Sequence, residues 1–327
     1  MHRAPRPREQ STALSAAHGA GSPAHHTRSA GLAEWLIAPA PRLLPHPGDF
    51  ADPGLYSLPE IGFHRLATCP PLPVHAPWLV PTLSPLPSPL LSSLQTNRQA
   101  VHLRIERAAR AADRDPADIQ LLPVTKAVDQ ATTRALYDLG ERELAENRAQ
   151  ALEDKASALD DTEVRWHFIG HLQRNKARRV LKWAEVMHSV DSMALTAALV
   201  RICADENWQR QIYLQLNLTG EDAKHGMQAT ECREALALAV ESDHLQVLGL
   251  MGMAPLHPTD GCSTDSVFRS LGVLAGQLES EGASRFATGH CGLSMGMSSD
   301  LEAAVSAGST CLRIGSDLYA ASEGGEL

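Results

Sequence analysis

An apolar run, Ile119-Gln-Leu-Leu-Pro-Val-Thr-Lys126, opens the part of the chain that decides the fold. Seven more short runs follow it, and each precedes a helical pattern, so the sequence predicts repeated βα units. The predicted strands cover residues 119–126, 143–145, 165–169, 186–190, 211–218, 246–251, 285–287 or a little beyond, and 310–314. Eight units in about 225 residues predict an α/β fold, a single (β/α)8 TIM barrel. An open doubly wound sheet is the alternative that this alternation permits.

Helical patterns begin before the first strand and continue between the later ones. They cover residues 99–112, 174–183, 193–205, 230–241, 265–281 and 299–307. Residues 94–321 therefore form the predicted barrel domain, and residues 322–327 form a short tail.

The segment before residue 94 differs in composition from the rest of the chain. It contains 17 of the 21 prolines and shows no sustained helical or strand period. Residues 1–93 are therefore predicted to be a mostly disordered, Pro-rich extension. The arginines of its first third are typical of a transit peptide, but the segment lacks the amphipathic helix of such a peptide. The favoured explanation for the extension is therefore a start codon assigned too far upstream.

Charge and cysteine usage restrict the class of partner and compartment. The formal net charge of -9 argues against a nucleic acid or an anionic membrane as partner. No apolar stretch approaches the roughly 20 residues that span a bilayer. The six cysteines are scattered without a C-x-x-C pair, which predicts reduced thiols, a cytoplasmic location and no metal site.

Candidate chemical groups lie at predicted strand ends, where the loops of a barrel form its active face. Lys126 ends the first strand, and a lysine there is either an ordinary solvated side chain or an amine able to attack an aldehyde. The loop from Ser294 to Asp300 follows strand seven, and Arg313-Ile-Gly315-Ser316 ends strand eight. Barrels commonly hold phosphate at these two loops, although Ser298 or Ser299 could simply cap a helix.

Seven motifs occur in an order that resembles the pyridoxal phosphate homeostasis protein family, relatives of the alanine racemase N-terminal barrel. They are Val124-Thr-Lys126, Ala145-Glu-Asn147, Trp166 to Lys176, Lys224-His-Gly226, Gly249-Leu-Met251, Ser294-Met-Gly-Met-Ser298-Ser-Asp300 and Arg313-Ile-Gly315-Ser316. The resemblance spans residues 94–321 and implies pyridoxal 5'-phosphate (PLP) as cofactor.

The resemblance also implies a role for each matching residue. Lys126 is expected to form a Schiff base with PLP, and Ser294, Gly315 and Ser316 are expected to hold its phosphate. Arg313 is expected to face the pyridine nitrogen, where a fixed cation disfavours ring protonation and weakens the ring as an electron sink. Asn147 is expected to bind near the Schiff base, with a loop or helix cap as the alternative.

Two histidines receive no cofactor role from the resemblance. His167 is expected to be a packed core histidine on strand three. His225 stands where a serine is common in the family, and Ala145, Ser316 and Tyr319-Ala320 are other departures from the family pattern.

The predicted function is PLP binding and homeostasis by a non-enzymatic carrier, expected to be a monomer that could pass PLP to apo-enzymes. A related racemase needs a second acid or base, such as a tyrosine from an added domain, and no such domain is expected after strand eight. The alternatives are a PLP-dependent enzyme such as a weak racemase and, more remotely, a sugar-phosphate barrel enzyme.

Overall fold

The computed structural model describes residues 87–218, 225–255, 258–259 and 262–320. The predicted extension up to residue 86 and the predicted tail at 322–327 lie outside these residues. These described residues contain eight strands: β1 Gln120–Pro123, β2 Glu143–Glu146, β3 Arg165–Phe168, β4 Val186–Val190, β5 Arg210–Gln215, β6 Leu245–Met251, β7 Gly292–Ser294 and β8 Cys311–Ile314.

Helices precede the first strand and follow each strand, as the βα rhythm predicts. They are α1 Ser88–Ala111, α2 Gln130–Asp138, α3 Ala149–Ala158, α4 Ala177–Leu181, α5 Met193–Glu206, α6 Ala229–Val240, α7 Thr264–Gly282, α8 Leu301–Ser306 and α9 Ser316–Tyr319. Short 3-10 turns lie at Pro116–Asp118, Arg174–Lys176 and Ala283–Arg285.

The strands form one parallel sheet that closes on itself. Its order is β1-β8-β7-β6-β5-β4-β3-β2, and a parallel bridge between Val124 and Ala145 joins the two end strands. The Thr125 N–H donates to the Ala145 carbonyl across this junction at 2.8 Å. The predicted (β/α)8 barrel is therefore confirmed, and the open doubly wound alternative is wrong.

Two elements differ from their predicted positions. The seventh strand lies at Gly292–Ser294, whereas Ala283–Arg285 is a 3-10 turn. A Cβ on Gly249 would lie 1.9 Å from the Gly292 carbonyl oxygen, so β6 and β7 can approach this closely only with glycine at position 249. A three-residue strand that begins with glycine carries no β-branched signal, which is why the apolar pattern pointed elsewhere.

Helix α1 begins at Ser88 and therefore extends beyond the predicted boundary at residue 94. It buries one face made of Leu94, Val101, Ile105 and Ala109. Pro89 lies in its first turn, where the missing N–H costs no helical hydrogen bond, so a proline-rich composition did not exclude a helix here.

Helix α1 also fastens the last two loops of the barrel. Asn97 Nδ2 donates to the carbonyls of Leu318 and Ala320 at 3.2 and 2.8 Å. Arg104 Nη1 donates to the Ser298 carbonyl and to Asp317 Oδ2, both at 2.8 Å. Among the residues described, no helix is both long and apolar enough to cross a membrane.

Candidate functional site

A cavity of about 420 Å³ opens at the C-terminal ends of the strands. Five of the six residues predicted from the sequence line it, namely Lys126, Asn147, Arg313, Gly315 and Ser316. The other lining residues are Val124, Ile169, Gly170, Met251, Met253, Met297, Ser298 and Ser299. The cavity thus combines an amine, a guanidinium and several small polar groups with an apolar wall.

Lys126 lies just beyond the end of β1, and its side chain is exposed to the cavity mouth. Its ε-amine has no hydrogen-bond or ion-pair partner among the described residues, whereas its carbonyl accepts a hydrogen bond from Arg148 Nη2 at 3.3 Å. The amine is therefore free to react with a molecule in the cavity.

A buried ion pair holds the backbone on which Lys126 is mounted. Lys155 Nζ lies 2.5 Å from Glu146 Oε1 and donates to the Thr125 carbonyl at 2.6 Å. Thr125 Oγ1 donates to the same carboxylate oxygen at 3.0 Å. Lys155 and Glu146 were not predicted as site residues, because a lysine in the middle of a helix ordinarily points to solvent.

Asn147 follows β2, and its backbone approaches the end of β3 very closely. A Cβ on Gly170 would lie 1.9 Å from the Asn147 carbonyl oxygen, so only glycine permits this approach. Asn147 Oδ1 is buried and has no hydrogen-bond partner among the described residues. It is therefore an unused acceptor on the cavity wall, which a bound donor could satisfy.

Arg313 is 4% exposed and lies at the base of the cavity. Its Nη1 donates to Ser294 Oγ at 2.8 Å, and its Nη2 donates to the Gly252 carbonyl at 3.1 Å. Burial lowers the pKa of Arg313, but a guanidinium keeps its proton at neutral pH. No carboxylate among the described residues forms an ion pair with it, so this charge is available to a ligand.

Ser294 is the one predicted site residue that does not line the cavity. Its side chain is fully buried, and its hydroxyl contacts Arg313 on one side and His188 on the other. Its location supports a role in positioning Arg313. Ser298 and Ser299 of the same loop line the cavity in its place.

Ser298 and Ser299 precede α8, the helix that one of them would cap in the alternative interpretation. The residue at the N-cap of α8 is Asp300, and no side chain caps that helix. The Ser298 hydroxyl instead accepts a hydrogen bond from the Asp317 N–H at 3.3 Å, which ties the loop after β7 to helix α9. Ser298, Ser299, Gly315 and Ser316 thus form one polar end of the cavity.

Below Arg313, a line of buried polar side chains runs through the barrel interior. His188 Nδ1 lies 2.7 Å from Ser294 Oγ, and its Nε2 lies 2.8 Å from His167 Nδ1. His167 Nε2 lies 3.1 Å from Glu143 Oε2 near the opposite end of the barrel. His167 is buried as predicted, and burial lowers the pKa of both histidines, so both are neutral.

The sequence carried no signal for His188 as part of the site. Its ring stacks on Tyr213 with the centroids 4.6 Å apart, and both residues are buried. A histidine in an apolar strand suggests only core packing until its neighbours across the barrel are known.

The fold places the chain in a class of known proteins. The profile of the family described as "Alanine racemase, N-terminal domain" matches residues 97–323, so the chain belongs to that family. The pyridoxal phosphate homeostasis protein of Mycobacterium leprae is 34% identical over 245 residues, which cover 69% of this chain and 92% of the relative. That of Pseudomonas aeruginosa is 36% identical over 236 residues, covering 72% and 98%. Within the class, the chain is therefore a member of the pyridoxal phosphate homeostasis protein family.

A solved structure agrees with this placement. PipY of Synechococcus elongatus with PLP bound is 33% identical, has a TM-score of 0.57, and covers 66% of this chain and 99% of PipY.

Proposed function

We propose that this chain binds PLP in the 420 Å³ cavity, through a Schiff base on Lys126, and serves intracellular PLP homeostasis as a carrier or buffer. Family membership supports the proposal, because the relatives from Mycobacterium leprae and Pseudomonas aeruginosa carry that name. The PLP in the PipY structure supports the same cofactor.

The residues present fit PLP in charge, size and polarity. A volume of about 420 Å³ lies within the roughly 300–1,000 Å³ of small-molecule sites. The polar end at Ser298, Ser299, Gly315 and Ser316 offers hydroxyl and backbone donors for a phosphate, and Asn147 Oδ1 offers an unused acceptor for a hydroxyl.

Bound PLP would supply an aldehyde for reaction with amines and an electron-withdrawing pyridine ring. The Lys126 amine would hold the aldehyde, and the Glu146–Lys155 pair fixes the backbone beside that amine. Arg313 stays charged and hydrogen-bonded to Ser294, so a ring nitrogen next to it would be hard to protonate. The site thereby restrains the electron-sink chemistry on which PLP enzymes depend.

The composition of the cavity wall is the observation that carries the carrier proposal. Among the described residues, no Asp, Glu, His, Cys or Tyr lines it. Tyr319, which follows the last strand in the sequence, does not line the cavity, and burial raises the pKa of its hydroxyl. A two-base racemase needs a second proton donor, and this wall offers none.

Borohydride reduction followed by peptide mapping tests the proposed attachment. We expect a visible absorption band with added PLP and, after reduction, one modified peptide that contains Lys126. Lys126→Ala should lose both signals, while Lys182→Ala, which removes an exposed lysine on α4's C-terminal side, should keep them. Modification of another lysine in the wild-type protein would overturn the assignment.

A weak amino-acid racemase is the second candidate, because His171 and His225 line a neighbouring cavity of about 540 Å³. Exchange of the α-proton of amino acids in deuterated water, followed by NMR, separates the two functions. The carrier predicts no exchange above free PLP. Exchange that His225→Ser abolishes would favour the enzyme.

We further propose that the chain is a cytoplasmic monomer that passes PLP to apo-enzymes. The five cysteines of the described residues are all free thiols, as expected in a reducing compartment. Transfer is tested by mixing PLP-loaded protein with an apo-aminotransferase and a trap for free PLP. Reactivation no faster than with free PLP would contradict a direct hand-over.

A further inference from the structure

A second group of side chains, which could serve as metal ligands, lies beside the cofactor cavity and does not line it. His171 follows β3, Asp191 follows β4, and His225 lies after β5 on a later loop. Parallel strands bring these three loops to the same end of the barrel. His171 and His225 line the 540 Å³ cavity, and none of the three residues lines the cofactor cavity.

The three side chains converge on one carboxylate oxygen. His171 Nδ1 lies 3.0 Å from Asp191 Oδ2, and His225 Nδ1 lies 3.7 Å from the same atom. One ligand atom from each residue lies within 4.8 Å of the others, and the two rings stack with centroids 3.8 Å apart. Neighbouring ligand atoms on a tetrahedral Zn²⁺ are about 3.3 Å apart when the bonds are about 2.0–2.1 Å.

The charge balance also favours a cation here. Asp191 is only 9% exposed, and the described residues provide no lysine or arginine that pairs with it. Its other contact is the Ser192 hydroxyl, 3.4 Å from Oδ1. With no lysine or arginine of the described residues beside it, this carboxylate would gain charge balance from a divalent ion.

The ligand types select the kind of ion. Two imidazoles and one carboxylate suit first-row transition metals, whereas Mg²⁺ and Ca²⁺ prefer oxygen ligands alone. The imidazoles of His171 and His225 are 44% and 58% exposed, so they can rotate onto an ion without disturbing the core.

We propose that His171, Asp191 and His225 bind one divalent transition-metal ion, with Zn²⁺ as the representative. Three protein ligands leave a coordination position for water or for an anionic oxygen. The 540 Å³ cavity shares Ile169, Met251, Met253, Met297 and Ser299 with the cofactor cavity. An ion on this wall would therefore bind an anionic group of a molecule that lies next to the cofactor site.

Metal titration of the full chain tests the site without any reference to PLP. The protein is prepared without a polyhistidine tag, freed of metal and cofactor, and titrated with Co²⁺ at neutral pH while its visible absorption is followed. Zn²⁺ is then added to displace the Co²⁺. We expect one equivalent of tight binding in the wild-type protein.

Matched variants assign that equivalent to its ligands. His225→Ser and Asp191→Asn should each weaken Co²⁺ binding by at least about tenfold. Loss of a residue that only supports a metal ligand already weakens binding by about tenfold or more, and loss of a ligand itself should cost no less. His290→Ser, which removes another exposed histidine, should bind as the wild type does. So should the double variant His25→Ser/His26→Ser, which removes the only adjacent histidine pair of the sequence.

Three outcomes would overturn the proposal. They are unchanged Co²⁺ affinity in both triad variants, loss of the tight equivalent in the double variant, and no tight equivalent in the wild type. If Asp191→Asn fails to fold, His171→Gln supplies the second triad variant, since His171 is exposed. Because PLP is absent throughout, failure of the metal site would leave the proposed PLP function untouched.

Discussion

Glu143 and Arg313 lie at opposite ends of one line of polar contacts through the barrel interior. The line runs from Glu143 through His167, His188 and Ser294 to Arg313, with successive distances of 3.1, 2.8, 2.7 and 2.8 Å. It connects the cavity that we assign to the cofactor with the N-terminal end of the barrel.

The contacts of this line differ in kind. Arg313 Nη1 donates to Ser294 Oγ, because a guanidinium offers only donors. The Ser294–His188 and His188–His167 contacts are hydrogen bonds in which the histidine tautomers decide which atom donates. His167 Nε2 and Glu143 Oε2 lie at ion-pair distance without a hydrogen bond between them. Arg313 is therefore held in position by Ser294 and the Gly252 carbonyl with either tautomer of the two rings.

Ser294→Ala should release Arg313 from this line. A buried charged donor without its acceptor costs about 1–3 kcal/mol, and we expect that loss in the free energy of unfolding. We also expect PLP to bind on the order of tenfold more weakly, which corresponds to about 1.4 kcal/mol. Urea unfolding and a PLP titration measure the two effects. Ser306→Ala on the exposed face of α8 is the control, and equal affinities in the two variants would contradict the positioning role.

The stability of the protein should depend on pH through Glu143. Burial alone would raise the pKa of this carboxyl, but contacts with His167 and Arg165 outweigh burial and lower the pKa to about 2. Because the folded-state pKa is below the unfolded value of 4.5, the stabilisation is complete above pH 4.5 and is lost as the pH falls toward 2.

Replacing Glu143 by Gln removes this titration. Over that acidic range, the free energy of unfolding of Glu143→Gln should fall less steeply with decreasing pH than that of the wild type. Urea unfolding at several pH values compares the slopes. Parallel curves for the two proteins would show that Glu143 does not titrate as described.

Lys155→Met should be strongly destabilising, because it leaves the carboxylate of Glu146 buried without a cation. Breaking a buried ion pair on one side costs about 3–5 kcal/mol. The double variant Glu146→Gln/Lys155→Met should recover part of that loss, since no charge then remains buried. A double-mutant cycle of unfolding free energies measures the coupling, and additive effects would contradict it.

Gly249→Ala tests the close approach of β6 and β7. Its Cβ would lie 1.9 Å from the Gly292 carbonyl oxygen, and Gly249 has a φ of +155°, so we expect severe destabilisation or no folded protein. Gly276 in the middle of α7 has no atom within 4 Å of its would-be Cβ. Gly276→Ala should therefore stabilise the protein by up to about 1 kcal/mol. Thermal unfolding of both variants provides the comparison.

Most of the barrel could be predicted from local patterns, and two parts could not. The period of the apolar residues located seven strands and the helices α1 and α4 to α8, because each pattern spans only a few neighbouring residues. No bounds were predicted for α2, α3 and α9. Strand β7 was not predicted because its position depends on the close contact between Gly249 and the Gly292 backbone, which are far apart in the chain. The start of α1 escaped because its first turn contains Pro89 and leaves Leu90 and Leu91 exposed, so no buried face marks it as a helix.

The candidate site divides in the same way. Lys126, Asn147, Arg313, Gly315 and Ser316 were identified from motifs, and the structure brings all five to one cavity. The cation of Lys155 and the ring of His188 were not identified, since neither carries a motif. Ser294 was identified with a phosphate-binding role, but its hydroxyl is directed to His188 and Arg313.

By itself, the sequence determined the βα rhythm, the family, and the lysine at the end of the predicted first strand to which we propose that PLP attaches. These properties are local or lie in ordered motifs, so they can be recognised without knowing which strands are neighbours. Only the closed barrel decided that Glu143, His188 and Arg313 would share one polar line and that His171, Asp191 and His225 would converge. The physical reason is that parallel strands place residues far apart in the chain side by side, and their contacts exist only after the sheet closes.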